Sequence, residues 1–414
     1  MMFAVIALVA GCRRSAPEST TPLRQRGYIW QREWNAAVAD SLANARKKMD
    51  GVVILGSEIV WNGKGPEVVS ATINWEMLKE ADAPCSIALR IAPGPIFEDK
   101  TRTRFIVAAV QALLEQMRVH GVTLQEFQLD FDCPQKDLQS YRTLVQTLRS
   151  LLRPVRLVIT TLPSWLDEPE FVPLAREADG YVLQVHSVPT SNETGRASLC
   201  DVRLARKWAA KAASFGMPFS VALPTYRCSA GYNREGKLLS IAMDSVQPAW
   251  PPDTRILEFE TNPDEIADLV KEWQHNRPAE LREIIWYRLP VATDTRNWRW
   301  VTLLKVMSGE RPVHKLEVLQ EGENPVDLSV VNLGEADERL DSVVTVTWSG
   351  QTLVAADALA GWMVNPGKEK AVFTITPGFR IRLSPGGKRE IGWLRHDQST
   401  ILRLQLARQN EAAH

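Results

Sequence analysis

The 414-residue chain has no surplus of either charge: 49 Lys and Arg stand against 49 Asp and Glu, and no run of four or more basic residues occurs. Without a basic stripe to neutralise phosphates, the composition excludes a nucleic-acid binder. Cysteine is scarce, five in all, and no pair has the C-x-x-C spacing of a zinc or redox centre. No metal or cofactor is expected. Gly-x-Ser-x-Gly, a phosphate loop ending in Lys-Ser/Thr, His-Glu-x-x-His and a dinucleotide fingerprint are also missing, which removes serine-hydrolase, nucleotide and zinc-protease readings. Long apolar runs are absent too: the only one, Met1 to Ala10, is about half the roughly 20 residues a membrane-spanning helix needs. Tyrosine is sparse, with six residues, whereas tryptophan reaches 14. The aromatic surface therefore sits in the largest ring, which buries much area and stacks on cations and sugar faces.

The apolar run ends in Leu8-Val9-Ala10-Gly11-Cys12, which resembles the lipobox of bacterial lipoproteins. The resemblance implies a signal peptide over residues 1–11, a lipidated Cys12, a tether over 12–26, and export to the cell envelope on a lipid anchor, at the periplasmic or outer-membrane face. One departure is that no Lys or Arg precedes the apolar stretch.

From Gly27 to Gly309 short β-rich runs alternate with longer amphipathic ones, the pattern of an α/β fold with a parallel sheet. Eight runs read as strands: 28–34, 52–59, 86–92, 127–132, 155–162, 181–187, 219–226 and 284–289. Eight closes a (β/α)8 TIM barrel, assigned to 27–310. Ile106, Val110, Leu113, Leu114 and Met117 share one face of a helix over 101–120, as do Val202, Ala205, Trp208, Ala209 and Ala212 of a later one. Asn262-Pro263-Asp264-Glu265 is a helix start. After Gly309 helical periodicity gives way to alternating runs at 344–348, 371–376, 379–383 and 402–406, with turns at Pro366-Gly367 and Pro385-Gly386-Gly387; residues 311–414 read as a small β-sandwich.

The segment richest in chemistry is Phe127-Gln128-Leu129-Asp130-Phe131-Asp132-Cys133-Pro134. Alternation points Asp130 and Asp132 to one face of the strand and Leu129 and Phe131 to the other. Acids at the C-terminal end of a barrel strand lie where such barrels carry active sites. One of two carboxyls so close should hold its proton to higher pH than an isolated Asp, as a general acid requires.

This segment resembles the fourth-strand motif D-x-x-D-x-D-x-E of family 18 glycoside hydrolases, the chitinase group, with Asp130 on the last Asp and Asp132 on the acid. The departures are Asp132 where that family has Glu, Gln128 where it has Asp, and Gln184-Val185-His186-Ser187 where its sixth strand ends in Met-x-Tyr-Asp. Pro224-Thr225-Tyr226 is similar to the seventh-strand region, and the excursion from Arg227 to Thr261 stands where many members insert a small domain. Ile285-Trp286-Tyr287-Arg288-Leu289-Pro290 looks like the eighth strand, with Trp286 or Tyr287 as aromatic floor. A closer resemblance, carried by Tyr28-Ile29-Trp30-Gln31, Gln128 to Asp132, Leu183 to His186 and Trp286 to Pro290, is to the bacterial domain of unknown function 3142; it would cover the barrel and extend to Gly392-Trp393-Leu394-Arg395.

The chitinase resemblance implies that Asp132 is the acid to the glycosidic oxygen, that Asp130 tunes it and holds the substrate's acetamido group, and that this group is the nucleophile. Trp30, Gln184, His186, Tyr226, Trp286 and Arg288 are the candidate substrate-binding residues. Glu58 and Asp294 occupy other mouth loops, and Arg90 or Arg288 is placed to counter the acids. Trp34, Trp61 and Trp165 lie near strand ends, Trp208 and Trp273 on helix faces. Cys200 and Cys228 follow neighbouring strands and are the pair to test for a disulfide. Two functions follow: a glycosidase-like protein acting on a polysaccharide of the envelope, or a glycan-binding or scaffolding lipoprotein on a barrel that has lost its acid.

Overall fold

The computed structural model describes residues 22–62, 65–80, 85–188, 198–243, 249–359 and 361–408. The lipobox and Cys12 lie outside these. Eight parallel strands close into a barrel: β1 (Arg24–Ile29), β2 (Val52–Asn62), β3 (Cys85–Ile91), β4 (Leu124–Phe131), β5 (Arg156–Thr161), β6 (Gly180–Gln184), β7 (Phe219–Pro224) and β8 (Leu281–Tyr287). Closure comes from β1, which pairs with β8 (Arg24 opposite Glu283) and with β2 (Gly27 opposite Val52). Helices join successive strands, and an eighth, Trp300–Met307, follows β8. Their start signals act locally: the Asn262 side chain accepts from the N–H groups of Asp264 and Glu265 at the head of Pro263–His275.

Strand alternation divides the barrel into an outer core and a layered interior. Ile29, Ile54, Ile87, Leu89, Phe127, Leu129, Phe131, Leu183 and Trp286 face the helices and bury completely or nearly so. Inside, Tyr28, Val53, Ala88, Val158, Val182, Ala222 and Ile285 form an apolar middle layer. Below it lies a charged plug. Arg26 donates from Nε and Nη2 to the two Glu283 carboxylate oxygens, both at 2.7 Å, from Nη2 to Glu126 Oε1 at 2.9 Å, and from Nη1 to Ser86 Oγ at 2.8 Å. Guanidinium and carboxylates are nearly fully buried, so each is retained only because the others satisfy it. The plug also explains why β1 begins at Arg24 rather than Tyr28: Arg26 belongs to the strand and points inward.

Between β7 and the last connecting helix, an inserted three-stranded antiparallel sheet (Leu238–Ala242, Arg227–Tyr232, Arg255–Glu260) folds over the barrel mouth on its own cluster of Tyr226, Cys228, Ala230, Tyr232 and Phe259. The C-terminal region forms two four-stranded antiparallel sheets enclosing Leu328, Val344, Phe373, Ile391 and Leu394, with a two-stranded pair, Glu338–Leu340 and Ile381–Leu383, beside them. It is tied to the barrel by Thr302 Oγ1 donating to the Glu335 carbonyl at 2.6 Å and by His314, which bridges Asp264 and Glu338. No helix among the described residues is long and apolar enough to cross a membrane.

The expected disulfide does not form: Cys200 and Cys228 are both free, buried thiols. Cys200 packs into the core between barrel and helices, while Cys228 faces the cluster under the inserted sheet. Neighbouring loops do not bring two side chains together when each belongs to a different core.

Candidate active site

The C-terminal ends of β1, β3, β4, β5, β6 and β8 surround a cavity of about 250 Å³ whose lining includes Trp30, Asp130, Asp132, Gln184, His186 and Tyr287. Asp130 is the best-anchored group in it. Arg90 Nη1 donates to its Oδ2 at 3.1 Å, and its Oδ1 accepts from Thr160 Oγ1 at 2.8 Å and from Gln184 Nε2 at 3.1 Å. Three donors thus converge on a carboxylate that is only 6% exposed.

Asp132 is different. It is half-buried, it lines the same cavity, and among the described residues it has no hydrogen-bond or ion-pair partner. Burial and then the negative charge of Asp130 push its carboxyl up to about 6, with Arg90 pulling the other way. The two acids are thus separated by environment: Asp130 is held by three donors, while Asp132 carries a proton into the weakly acidic range. Arg90 also approaches Glu58 at 3.8 Å, while Glu58 accepts from Arg32 Nε at 2.7 Å. Arg90 therefore counters Asp130 without locking Asp132.

The aromatic wall is Trp30, Tyr28 and Tyr287. Trp30 meets Tyr28 and Tyr287 edge-on, each at 5.3 Å between ring centroids. His186 stacks on Tyr287 at 5.5 Å. Its Nδ1 lies 3.3 Å from the Ala222 carbonyl; a carbonyl only accepts, so Nδ1 carries the hydrogen and Nε2 remains an acceptor. Burial pushes this imidazole down to about 4, against the opposing pull of the Ala222 bond and the Asp130 charge, so the ring is neutral at physiological pH. Tyr226, 6% exposed, completes the wall under the inserted sheet, which adds Ile241 and Met243. Past Trp30 and Tyr287 the cleft opens into a wider groove of about 770 Å³ containing Glu58, Arg288 and Asp294.

Several sequence-level placements change. Trp286 does not reach the cavity: it is fully buried in the helix layer and donates from Nε1 to Gln25 Oε1 at 3.0 Å. Tyr287, one residue on, is the floor. Arg288 is 8% exposed and pairs with Asp294 at 2.7 Å in the adjoining groove, away from the two acids. Trp165 is fully buried and donates to the Cys133 carbonyl, Trp61 donates to the Ala92 carbonyl, and Trp34 packs against the helix-side core. Of the five rings placed near strand ends, Trp30 alone lines the acid cavity. Thr160 and Tyr28 escaped the sequence reading, although both lie on inward-facing positions of their strands and could have been found by extending the alternation of Asp130 to neighbouring strands.

Residues 96–292 match the model of the domain of unknown function DUF3142, and residues 316–397 match that of another, DUF8456. The first span contains Gln128 to Asp132, Leu183 to His186 and Trp286 to Pro290; Tyr28 to Gln31 precedes it, and Gly392 to Arg395 falls in the second rather than extending the first. No curated protein matches the chain. Among solved structures, chitinase ChiA74 from Bacillus thuringiensis is similar at 11% identity and a TM-score of 0.46, covering 94% of this chain and 100% of that one. The spore cortex-lytic enzyme SleL of Bacillus cereus has 10% identity and a TM-score of 0.46 over 70% of this chain and 75% of that one. A chitinase from Bacteroides thetaiotaomicron has 13% identity and a TM-score of 0.47 over 69% and 96%.

Proposed function

We propose a glycosidase-type activity on a polysaccharide of the cell envelope, with Asp132 as general acid. The observation that supports it most is the asymmetry of the two carboxyls: Asp130 held by three donors, Asp132 unpartnered in the cavity and pushed up to about 6. A proton held in that range is available to a glycosidic oxygen near neutrality. As C–O cleavage builds positive charge on the sugar, the fixed negative charge of Asp130 stabilises it. By the chitinase resemblance, the nucleophile is the sugar's own acetamido group, in an N-acetylhexosamine polymer. Trp30 and Tyr287 supply ring surface, and the groove beyond them gives a polymer room to extend. The lipobox-like segment ending in Cys12 would hold the barrel at the envelope where such polymers are found.

A glycan-binding role without turnover is favoured by one observation: Asp132 is shorter by one C–C bond, about 1.5 Å, than the Glu of the resembled motif. A misplacement of that size can remove much of a rate. A hydrolysis screen over N-acetylhexosamine-containing polymers, with wild type beside Asp132→Asn, decides between them. Turnover lost in the variant establishes the acid; equal signals from both proteins on every polymer, with retained binding, establish the binding role.

A further inference from the structure

A second cavity, of about 230 Å³, lies where the barrel, the inserted sheet and the sandwich meet, with Arg227, Arg296, Arg382, Asp337, Tyr226 and Trp298 in its lining. The three arginines come from three separate parts of the chain: Arg227 opens the central strand of the inserted sheet, Arg296 follows β8, and Arg382 lies in the sandwich strand Ile381–Leu383. Like charges converging at one cavity are destabilising unless each is countered. Arg382 is countered by an ion pair with Glu260. Arg296 has only a 3.5 Å approach to Glu258, through an Nη1 that makes no hydrogen bond.

Arg227 has no ion pair among the described residues; its side chain donates to the Thr295 carbonyl at 2.7 Å. Burial and the charges of Arg382 and Arg296 press its guanidinium below its ordinary value, with Asp337 and Glu258 opposing. Of the acids in the lining, Glu260 is engaged by Arg382 and Asp264 by His314, while burial raises the Asp337 carboxyl and the Arg227 charge with a Ser384 hydrogen bond pulls it down. The N–H groups of Asp264 and Glu265 are already taken by the Asn262 side chain.

We infer that this junction cavity binds a small oxyanion of the phosphate class, held by Arg227 with Arg296 and Arg382. Guanidiniums approaching from three segments match the oxygens of a tetrahedral group better than the two coplanar oxygens of a carboxylate, which one arginine satisfies. Because the donors span the barrel loop, the inserted sheet and the sandwich, an occupied site ties the three together.

Calorimetric titration of the full chain with inorganic phosphate, at ionic strength held constant with chloride, tests this, with acetate as a parallel arm. One saturable phosphate site per chain is expected, at least tenfold weaker in Arg227→Ala, with acetate weaker than phosphate. Melting curves run alongside should rise with phosphate in the wild type and stay flat in the variant. If Arg227→Ala fails to fold, Arg227→Gln, which keeps the length and a donor but loses the charge, takes its place. Absence of saturable binding, equal affinity in the variant, or acetate binding as tightly as phosphate would overturn the assignment.

Discussion

Arg90 holds Asp130 at 3.1 Å and leaves Asp132, two residues along the same strand end, without a partner. The pH behaviour of the site follows from that arrangement. A general acid works only while protonated, so turnover should fall as pH rises through the Asp132 value of about 6. Asp130 raises that value and Arg90 lowers it. Asp130→Asn should therefore move the falling limb to lower pH and Arg90→Met to higher pH, each by about one unit. Residual turnover against pH, or carboxyl titration by carbon NMR, reads the shift. Limbs that stay put in both variants would remove Asp132 from the acid role.

Trp30 and Trp286 should separate binding from stability. Trp286 is fully buried among helix-side residues, so Trp286→Ala should destabilise the fold by about 3–5 kcal/mol. Trp30 is half-buried at the mouth. Trp30→Ala should weaken glycan binding about tenfold, which corresponds to about 1.4 kcal/mol, with a much smaller loss of stability. Urea unfolding beside binding to an immobilised polymer measures both, and comparable stability losses in the two variants would contradict the assignment.

The contrast between those two rings also shows where the sequence is readable. Asp130 and Asp132 alternate with Leu129 and Phe131, so polarity alone separates the inner from the outer face of β4. In Ile284-Ile285-Trp286-Tyr287 every position is apolar or aromatic, because a barrel strand buries both faces, and alternation has no contrast from which to choose Tyr287 over Trp286. Arg26 misleads in the opposite way: a charge looks like a strand boundary until Glu126 and Glu283, distant in sequence, are brought against it. The sandwich was legible as a class from its turns and alternation, but Phe379 is 57% exposed and its expected strand shrinks to Ile381–Leu383.

The cysteines give a further test. Cys85, Cys133, Cys200 and Cys228 are free and buried, and burial pushes each thiol up to about 12. A thiol at that value is almost wholly protonated near neutrality and reacts slowly. Alkylation of the folded protein at pH 7.5 should leave all four largely unmodified, whereas alkylation after unfolding without reductant should label all four, as counted by peptide mass spectrometry. A Cys200–Cys228 peptide pair recovered as a disulfide would contradict the arrangement.

His314 couples the two halves of the chain in a pH-dependent way. Its Nδ1 lies 2.5 Å from Glu338 in the sandwich and its Nε2 3.1 Å from Asp264 on the helix Pro263–His275. With a carboxylate at each nitrogen, the ring is a donor on both sides only as the imidazolium. Burial opposes that charge, but the hydrogen bonds and charges of Asp264 and Glu338 outweigh it, and the value is raised above the ordinary 6.5. The folded state therefore holds a proton that the unfolded state has begun to release. The resulting stability is fully present below about 6.5 and is lost as pH rises through the raised value. The pair is partly exposed, so the effect is modest: His314→Gln should melt about 2 °C below wild type at pH 5.5. By pH 9 the two melting curves should converge. A deficit that persists unchanged at pH 9 would show that His314 acts through packing rather than through its charge.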